Sequence, residues 1–288
     1  TWESDRREYY LRYLTERVPK VQQTAPMAIG SAFDGMVKNA IEKMLGLDVK
    51  DYTRQVEGEI DSAVHCQAMK EGARVLDFYR QVGGINRLLV TGVPRMEFSV
   101  QCAVPGTESC IGGPVILLGK PDLYYRVGHR IVHDWKVNGY YSKASPQKGY
   151  VWDSKTRSHH KDIFPKKVGS LSLGRSDYFN PEWLDQLTGY GWCLGEPIGE
   201  EFVLQIHQIT NAGGDAPGAA LRLTEHRVLA DPTHQLSLRD RLVGCWEAIH
   251  SGRVFTDMTL EQDLAEQEHC DRIAAGMQDS VFNLVCGR

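Results

Sequence analysis

Two aspartates and a lysine stand where they could do hydrolytic chemistry. Gly119-Lys120-Pro121-Asp122 closes one apolar run, and twelve residues beyond Asp122 comes Asp134-Trp135-Lys136, inside Ile131-Val132-His133-Asp134-Trp135-Lys136-Val137. The second run is β-branched and aromatic and reads as a strand. Alternation along a strand sends Asp134 and Lys136 to one face and His133 and Trp135 to the other. Two carboxylates and an amine then converge. Such a set suits phosphodiester hydrolysis, since carboxylate oxygens can hold a hard divalent cation while the amine positions or activates the attacking water. The doublet alone is weak evidence, because an acid two places before a lysine recurs at Asp48/Lys50 and Asp153/Lys155. Only Asp134/Lys136 lies in such a strand, and only it follows a second strand, Val115 to Leu118, whose glycine turn delivers Asp122.

The elements that must position these groups can be read from periodicity. Phe33, Met36, Val37, Ala40, Ile41, Met44 and Leu45 repeat with helical spacing, which predicts a helix from about Ala28 to Leu45. Asp34 falls on the flank of that apolar stripe, between Ile41 and Leu45. A carboxylate facing inward is costly unless paired or bound to a metal, so Asp34 reads either as a ligand or as half of a helix-edge salt bridge. A less regular helix is expected over 61–80. Three strands then form a meander, Met96 to Cys102, Val115 to Tyr125 and Arg130 to Val137, with turns at Pro105 to Pro114 and Val127 to His129. Glu97 at the start of the first strand points either to the surface or into the same cleft.

Pro181-Glu182-Trp183 opens a helix that should run to about Leu194. Gln186 and Tyr190, four apart, share its inward face with Trp183, Leu187 and Leu194. They are site groups or polar groups at the core edge. Phe202 to Gln208 and Ala220 to Arg227 read as strands, Ser237 to Ser251 as a helix, and the last 30 or so residues as helical without identifiable chemistry. Residues 2–15 read as a tyrosine-rich helix begun abruptly, as if the chain started inside a longer product.

A chain of 288 residues, 42% hydrophobic and 24% charged, can bury a full core and carries no mark of disorder. No apolar run approaches the roughly 20 residues a bilayer crossing requires, and no signal-peptide pattern opens the chain, so a cytoplasmic location is the expectation, without membrane association. The net charge of −4 argues against a uniformly basic surface. Locally the balance reverses: Lys143, Lys148, Lys155, Arg157, Lys161, Lys166 and Lys167 face only Asp153 and Asp162. Tyr140, Tyr141, Tyr150 and Trp152 accompany them. Cations beside aromatic rings could neutralise phosphates and stack bases; the same segment also reads as a solvated loop with packed aromatics. Seven cysteines at irregular spacing, without a Cys-x-x-Cys pair, read as reduced thiols rather than a zinc site or disulfide framework.

Taken in order, Tyr9-Tyr10-Leu11-Arg12-Tyr13-Leu14, Gly30-Ser31-Ala32-Phe33-Asp34, Gly119-Lys120-Pro121-Asp122, Asp134-Trp135-Lys136 and Gln186-x-x-x-Tyr190 resemble the RecB-like branch of the PD-(D/E)XK nuclease superfamily, which includes lambda-exonuclease-like enzymes. The resemblance spans most of residues 1–255. It implies an α/β fold with a restriction-endonuclease-like core, a central mixed β-sheet flanked by α-helices. It implies one nuclease domain over residues 1–288, with a basic and aromatic insertion at about 138–180 and a helical extension from about 256.

By that resemblance Asp34, Asp122, Asp134 and the carbonyl of Trp135 would bind Mg²⁺ or Mn²⁺. Lys136 would orient the water or stabilise the transition state, and Gln186 and Tyr190 would contact DNA near the scissile phosphate and hold the lysine. Lys143, Lys148, Tyr150, Trp152, Lys155 and Arg157 of the insertion would guide a strand. The family usually has histidine where Asp34 stands, a departure that bears on metal preference. The expected activity is exonucleolytic hydrolysis of linear DNA in recombination, repair or phage DNA processing. A catalytically silent DNA-binding module, or a subunit active only with a recombination or replication partner, remains the alternative. Since no Gly-Lys-Ser/Thr phosphate loop is present, unwinding would come from elsewhere.

Overall fold

The computed structural model describes residues 6–14, 23–47, 50–96, 99–126, 130–138, 152–153, 158–159, 173–176, 180–211 and 221–285. Helices come first: α1 (Arg6–Tyr9), α2 (Ala25–Leu45), α3 (Tyr52–Glu57), α4 (Ser62–Gln81) and α5 (Gly84–Thr91). Strands β1 (Arg95–Met96), β2 (Val100–Ala103), β3 (Ile116–Gly119), β4 (Leu123–Tyr125) and β5 (Ile131–Asn138) follow, then the short β6 (Trp152–Asp153), β7 (Ser158–His159) and β8 (Leu173–Ser176). The chain continues with α6 (Pro181–Cys193), β9 (Val203–Asn211), β10 (Leu221–Leu229), α7 (Pro232–His250) and α8 (Leu260–Val285). Two compact units emerge, one from Thr1–Gln22, Ala103–Ile116 and Ser237–Arg288, the other from Gln23–Cys102 and Leu117–Leu236.

The second unit is built on a mixed six-stranded sheet in the order β1-β4-β5-β9-β10-β8. β5 and β9 run parallel, with Trp135 opposite His207, and α6 lies between them in the chain, as a parallel pair requires a crossover. β4–β5 and β9–β10 pair antiparallel. Period two sorts the side chains of β5. Ile131 and Trp135 join a core with Phe33, Val37 and Ile41 of α2 and Val75 and Tyr79 of α4. Val132 joins Leu204, Ile206 and the α6 residues Trp183 and Leu187 on the opposite face. Helices therefore cover both faces of a mixed sheet, the α/β architecture expected from the sequence.

α2 carries Pro26 in its first turn, where a missing N–H costs nothing, and ends at Gly46 (φ 67°), whose N–H closes onto the Glu42 and Lys43 carbonyls. Its approach to α4 depends on Gly72: a Cβ there would lie 2.8 Å from Ala32 Cβ and 3.0 Å from the Phe33 nitrogen. α6 starts at Pro181 as expected, with the Asn180 side chain accepting from Glu182 N at 2.9 Å.

In the first unit, Tyr10, Leu11 and Leu14 pack on Val254, Phe255 and Cys270, beside ion pairs Arg6–Asp257 (2.6 Å) and Arg7–Glu266 (2.5 Å). Buried Asp263 ties this region together, accepting from Phe255 N and Arg253 Nε, each at 3.0 Å. No helix among the described residues is long and apolar enough to cross a membrane.

Several elements differ from the sequence reading. The strand expected over Val115 to Tyr125 breaks after Gly119: β3 pairs with β2 in a separate two-stranded sheet, while β4 pairs with β1 and β5. Pro121, lacking an N–H, cannot continue the ladder. The described part of the N-terminal helix is α-helical over Arg6–Tyr9 and widens to π-type turns over Tyr10–Leu14. The helix expected from Ser237 starts at Pro232 instead, because the Asp231 carboxylate accepts from Thr233 N (2.9 Å) and His234 N (3.1 Å). Helices α3 and α5 were not anticipated. Among the described residues, Cys66, Cys102, Cys110, Cys193, Cys245 and Cys270 are not joined in disulfides.

Candidate active site

The chain break after β3 is what places Asp122. With the ladder interrupted at Pro121, the Asp122 carboxylate reaches across to β5, where Oδ2 accepts from Trp135 N at 3.2 Å. Asp134 and Lys136 project from the same face of β5, as alternation required, and their carboxylate and ammonium are in direct contact. Asp134 is 6% exposed and hydrogen-bonds Asp122.

From α6, Gln186 and Tyr190 face the same point. Lys136 Nζ donates to Gln186 Oε1 at 3.1 Å, and Gln186 Nε2 donates to Tyr190 Oη at 2.9 Å. Gly119 makes room for the phenol, since a Cβ there would lie 2.7 Å from Tyr190 Cδ1. From α2, Lys38 Nζ reaches Asp34 Oδ2 at 2.6 Å and Asp122 Oδ1 at 3.1 Å. Asp34, Asp122, Trp135 and Lys136 line a cleft of about 460 Å³ with Met27 and Ser31 of α2, so the part-buried Asp34 and Asp122 open toward solvent on one side. All of these residues belong to the second unit.

The charges in this cluster are strongly perturbed. Burial alone would raise the Asp122 pKa, but the hydrogen bond with Asp134, the Lys38 ammonium and the Trp135 amide outweigh it and bring Asp122 down to about 2. Asp134 moves the other way, well above the usual carboxylate range, through burial and the adjacent Asp122 charge. The two carboxyl groups therefore titrate as a pair, Asp122 ionising first and Asp134 being the harder of the two to ionise. Burial opposes the charge on Lys136, yet Asp134 and then Asp122 more than compensate and raise it, so this group is an ammonium and not a free base at neutral pH.

Among the described residues, no three His, Cys, Asp or Glu side chains converge as a metal-ion cage. Asp122 and Asp134 alone do fit a hard cation. Two adjacent carboxyl groups, one of them costly to ionise, suit a hard cation that would offset their charge, and Mg²⁺ commonly uses only one or two protein carboxylates. Asp34, expected as a further ligand, has its Oδ2 2.6 Å from the Lys38 amine.

Sequence reasoning missed Lys38 altogether. It also missed a polar layer behind the site, on the Trp135 face of the sheet. Trp135 Nε1 donates to Tyr79 Oη at 3.1 Å, and Tyr79 Oη lies 2.5 Å from His207 Nδ1. His133 sits between the Trp135 and His207 rings, at centroid distances of 5.2 and 4.6 Å, fully buried, with neither ring nitrogen hydrogen-bonded. Burial pushes the His133 pKa down to about 3, and that of His207 well below its ordinary value.

Acid sensitivity follows. An unfolded histidine takes a proton near pH 6.5 and these folded ones refuse it, so stability falls as pH drops below that point, by up to about 1.4 kcal/mol per pH unit for each. His133→Phe should leave stability at pH 7 unchanged or higher, because no hydrogen bond is lost, and should flatten the decline between pH 6.5 and 5. Urea unfolding at several pH values measures this, and an unaltered slope would refute the assignment.

Trp152 is placed only as a residue of β6, whereas Glu97, Lys143, Lys148, Tyr150, Lys155 and Arg157 lie outside the described residues.

No protein-family model matches this chain, and no curated protein does. Among solved structures, a candidate exonuclease from Eubacterium rectale is similar at 13% identity and a TM-score of 0.44, over 85% of this chain and 74% of that one. A protein named SSO0001 is similar at 12% identity and a TM-score of 0.30, over 89% of this chain and 94% of that one.

Proposed function

We propose that this chain is a divalent-metal-dependent deoxyribonuclease of the RecB-like kind, acting as an exonuclease on linear DNA. The observation that carries the reading is the Asp122–Asp134 carboxyl pair beside Lys136, with Asp122 and Lys136 lining an open cleft and that lysine tied through Gln186 to Tyr190. Asp122 and Asp134 would hold Mg²⁺ or Mn²⁺. Such an ion, when bound, polarises a phosphate and lowers the pKa of a water molecule.

The chain's own groups supply the rest. Lys136, kept charged by its carboxylate neighbours, offsets negative charge that builds on the phosphate oxygens, an electrostatic role rather than a basic one. Gln186 fixes the ammonium's position through its Oε1. The Trp135 amide holds Asp122 in register with β5, which orients one carboxylate against the other. The basic and aromatic composition of 143–167 would suit that segment to guiding a strand.

End-labelled linear and closed circular DNA, single- and double-stranded, incubated with Mg²⁺, Mn²⁺ or EDTA, tests the proposal. Metal-dependent loss of the linear forms alone establishes exonuclease action, and cutting of circles means endonuclease action. The silent-module alternative draws on the amine lodged at Asp34. DNA binding without cleavage under every metal would select it, and cleavage appearing only with a recombination protein added would select an obligate subunit.

A further inference from the structure

Lys38 carries its charge inside the second unit, with the side chain only 3% exposed. A buried ammonium is tolerated when carboxylates compensate it, and here two do so: Asp34 one helical turn back at 2.6 Å, and Asp122, far along the chain, at 3.1 Å. Asp122 Oδ1 is thus engaged by a cation that belongs to the protein, while the same carboxyl group hydrogen-bonds Asp134.

Charge balance points the same way. Ionised Asp34, Asp122 and Asp134 bring three negative charges, and Lys38 and Lys136 bring two positive ones. One divalent ion leaves the cluster with a single net positive charge, suited to a phosphate. Two would leave three, confined among buried groups where repulsion is weakly screened.

Resting on the nuclease reading, we infer that the Lys38 ammonium stands in for a second metal ion: the chain takes one divalent cation, held by Asp122 and Asp134, and Lys38 is the positioning residue that fixes Asp122 for it. The amine needs no loading and stays at every metal concentration.

Titrating Mn²⁺ into the metal-free full chain, with calorimetry and the electron paramagnetic resonance of unbound Mn²⁺ as readouts, counts the ions. Wild type should bind one per chain. Lys38→Met, similar in length and uncharged, should bind two, with the spectrum of a coupled pair, and Lys38→Arg should return the count to one. A count of two in wild type overturns the inference, as does a count that is unchanged or lost in a Lys38→Met chain whose circular dichroism shows it folded. Should Lys38→Met not fold, the wild-type count still decides. If wild type binds no Mn²⁺ and cleaves nothing in the DNA assay, the nuclease reading itself has failed.

Discussion

Asp134→Asn should abolish cleavage, by about a thousandfold or more, while the protein folds as before. The carboxamide keeps the volume of the side chain and can still hydrogen-bond Asp122, so packing around β5 is undisturbed. It carries no charge and therefore cannot help hold a hard cation; a loss of roughly 4 kcal/mol of transition-state stabilisation corresponds to that factor. Stability should hold or rise, because a carboxylate that burial and Asp122 make costly to ionise has been replaced by a neutral group. Turnover on linear DNA and a urea melt, taken on the same preparation, measure both halves. Wild-type turnover in this variant would sink the site assignment, whereas lost turnover with a large loss of stability would show that Asp134 is structural.

Phe33→Ala should destabilise the chain by about 3–5 kcal/mol, a large share of the roughly 5–15 kcal/mol that holds a domain of ordinary stability together. The ring is fully buried and stands edge-on to Tyr79 and Trp135, at centroid distances of 5.7 and 6.2 Å. It therefore joins α2 both to α4 and to the site strand. Gly72 brings the α2 and α4 backbones too close for neighbouring side chains to collapse freely into the void, which favours the upper part of that range. Phe33→Leu retains most of the apolar volume and should cost less than half as much. Equilibrium unfolding in urea gives both values, and a loss below about 1 kcal/mol for Phe33→Ala would mean that α2 is not anchored at this ring.

Much of the architecture was legible because local rules govern it. Alternation put Asp134 and Lys136 on one face of β5, and the four-residue interval put Gln186 and Tyr190 on one face of α6, without knowledge of any partner element. The parallel pairing of β5 with β9 was not legible: no local pattern joins strands separated by a helix, and so the polar layer of His133, Tyr79 and His207 could not be assembled from sequence. Lys38 was hidden for a different reason. The helical geometry that set Asp34 on the stripe's flank sets Lys38 beside it one turn later, but a lysine at such an edge usually extends its charge to water, and the contact with Asp122, 84 residues on, could not be read from the helix. The break at Pro121 was readable as a turn, yet its effect, sending β3 and β4 into different sheets, depends on neighbours far along the chain.

The amide of Gln186 has a direction. An ammonium only donates, so Lys136 must face the carbonyl oxygen, and the NH₂ end is thereby turned toward Tyr190, whose oxygen receives it. With its oxygen accepting from the amide, the phenol keeps its own hydrogen for some other acceptor. Reversing the amide would set NH₂ against ammonium, so Lys136 fixes, two hydrogen bonds away, the polarity that Tyr190 presents: a hydroxyl free to donate its hydrogen to a neighbouring acceptor.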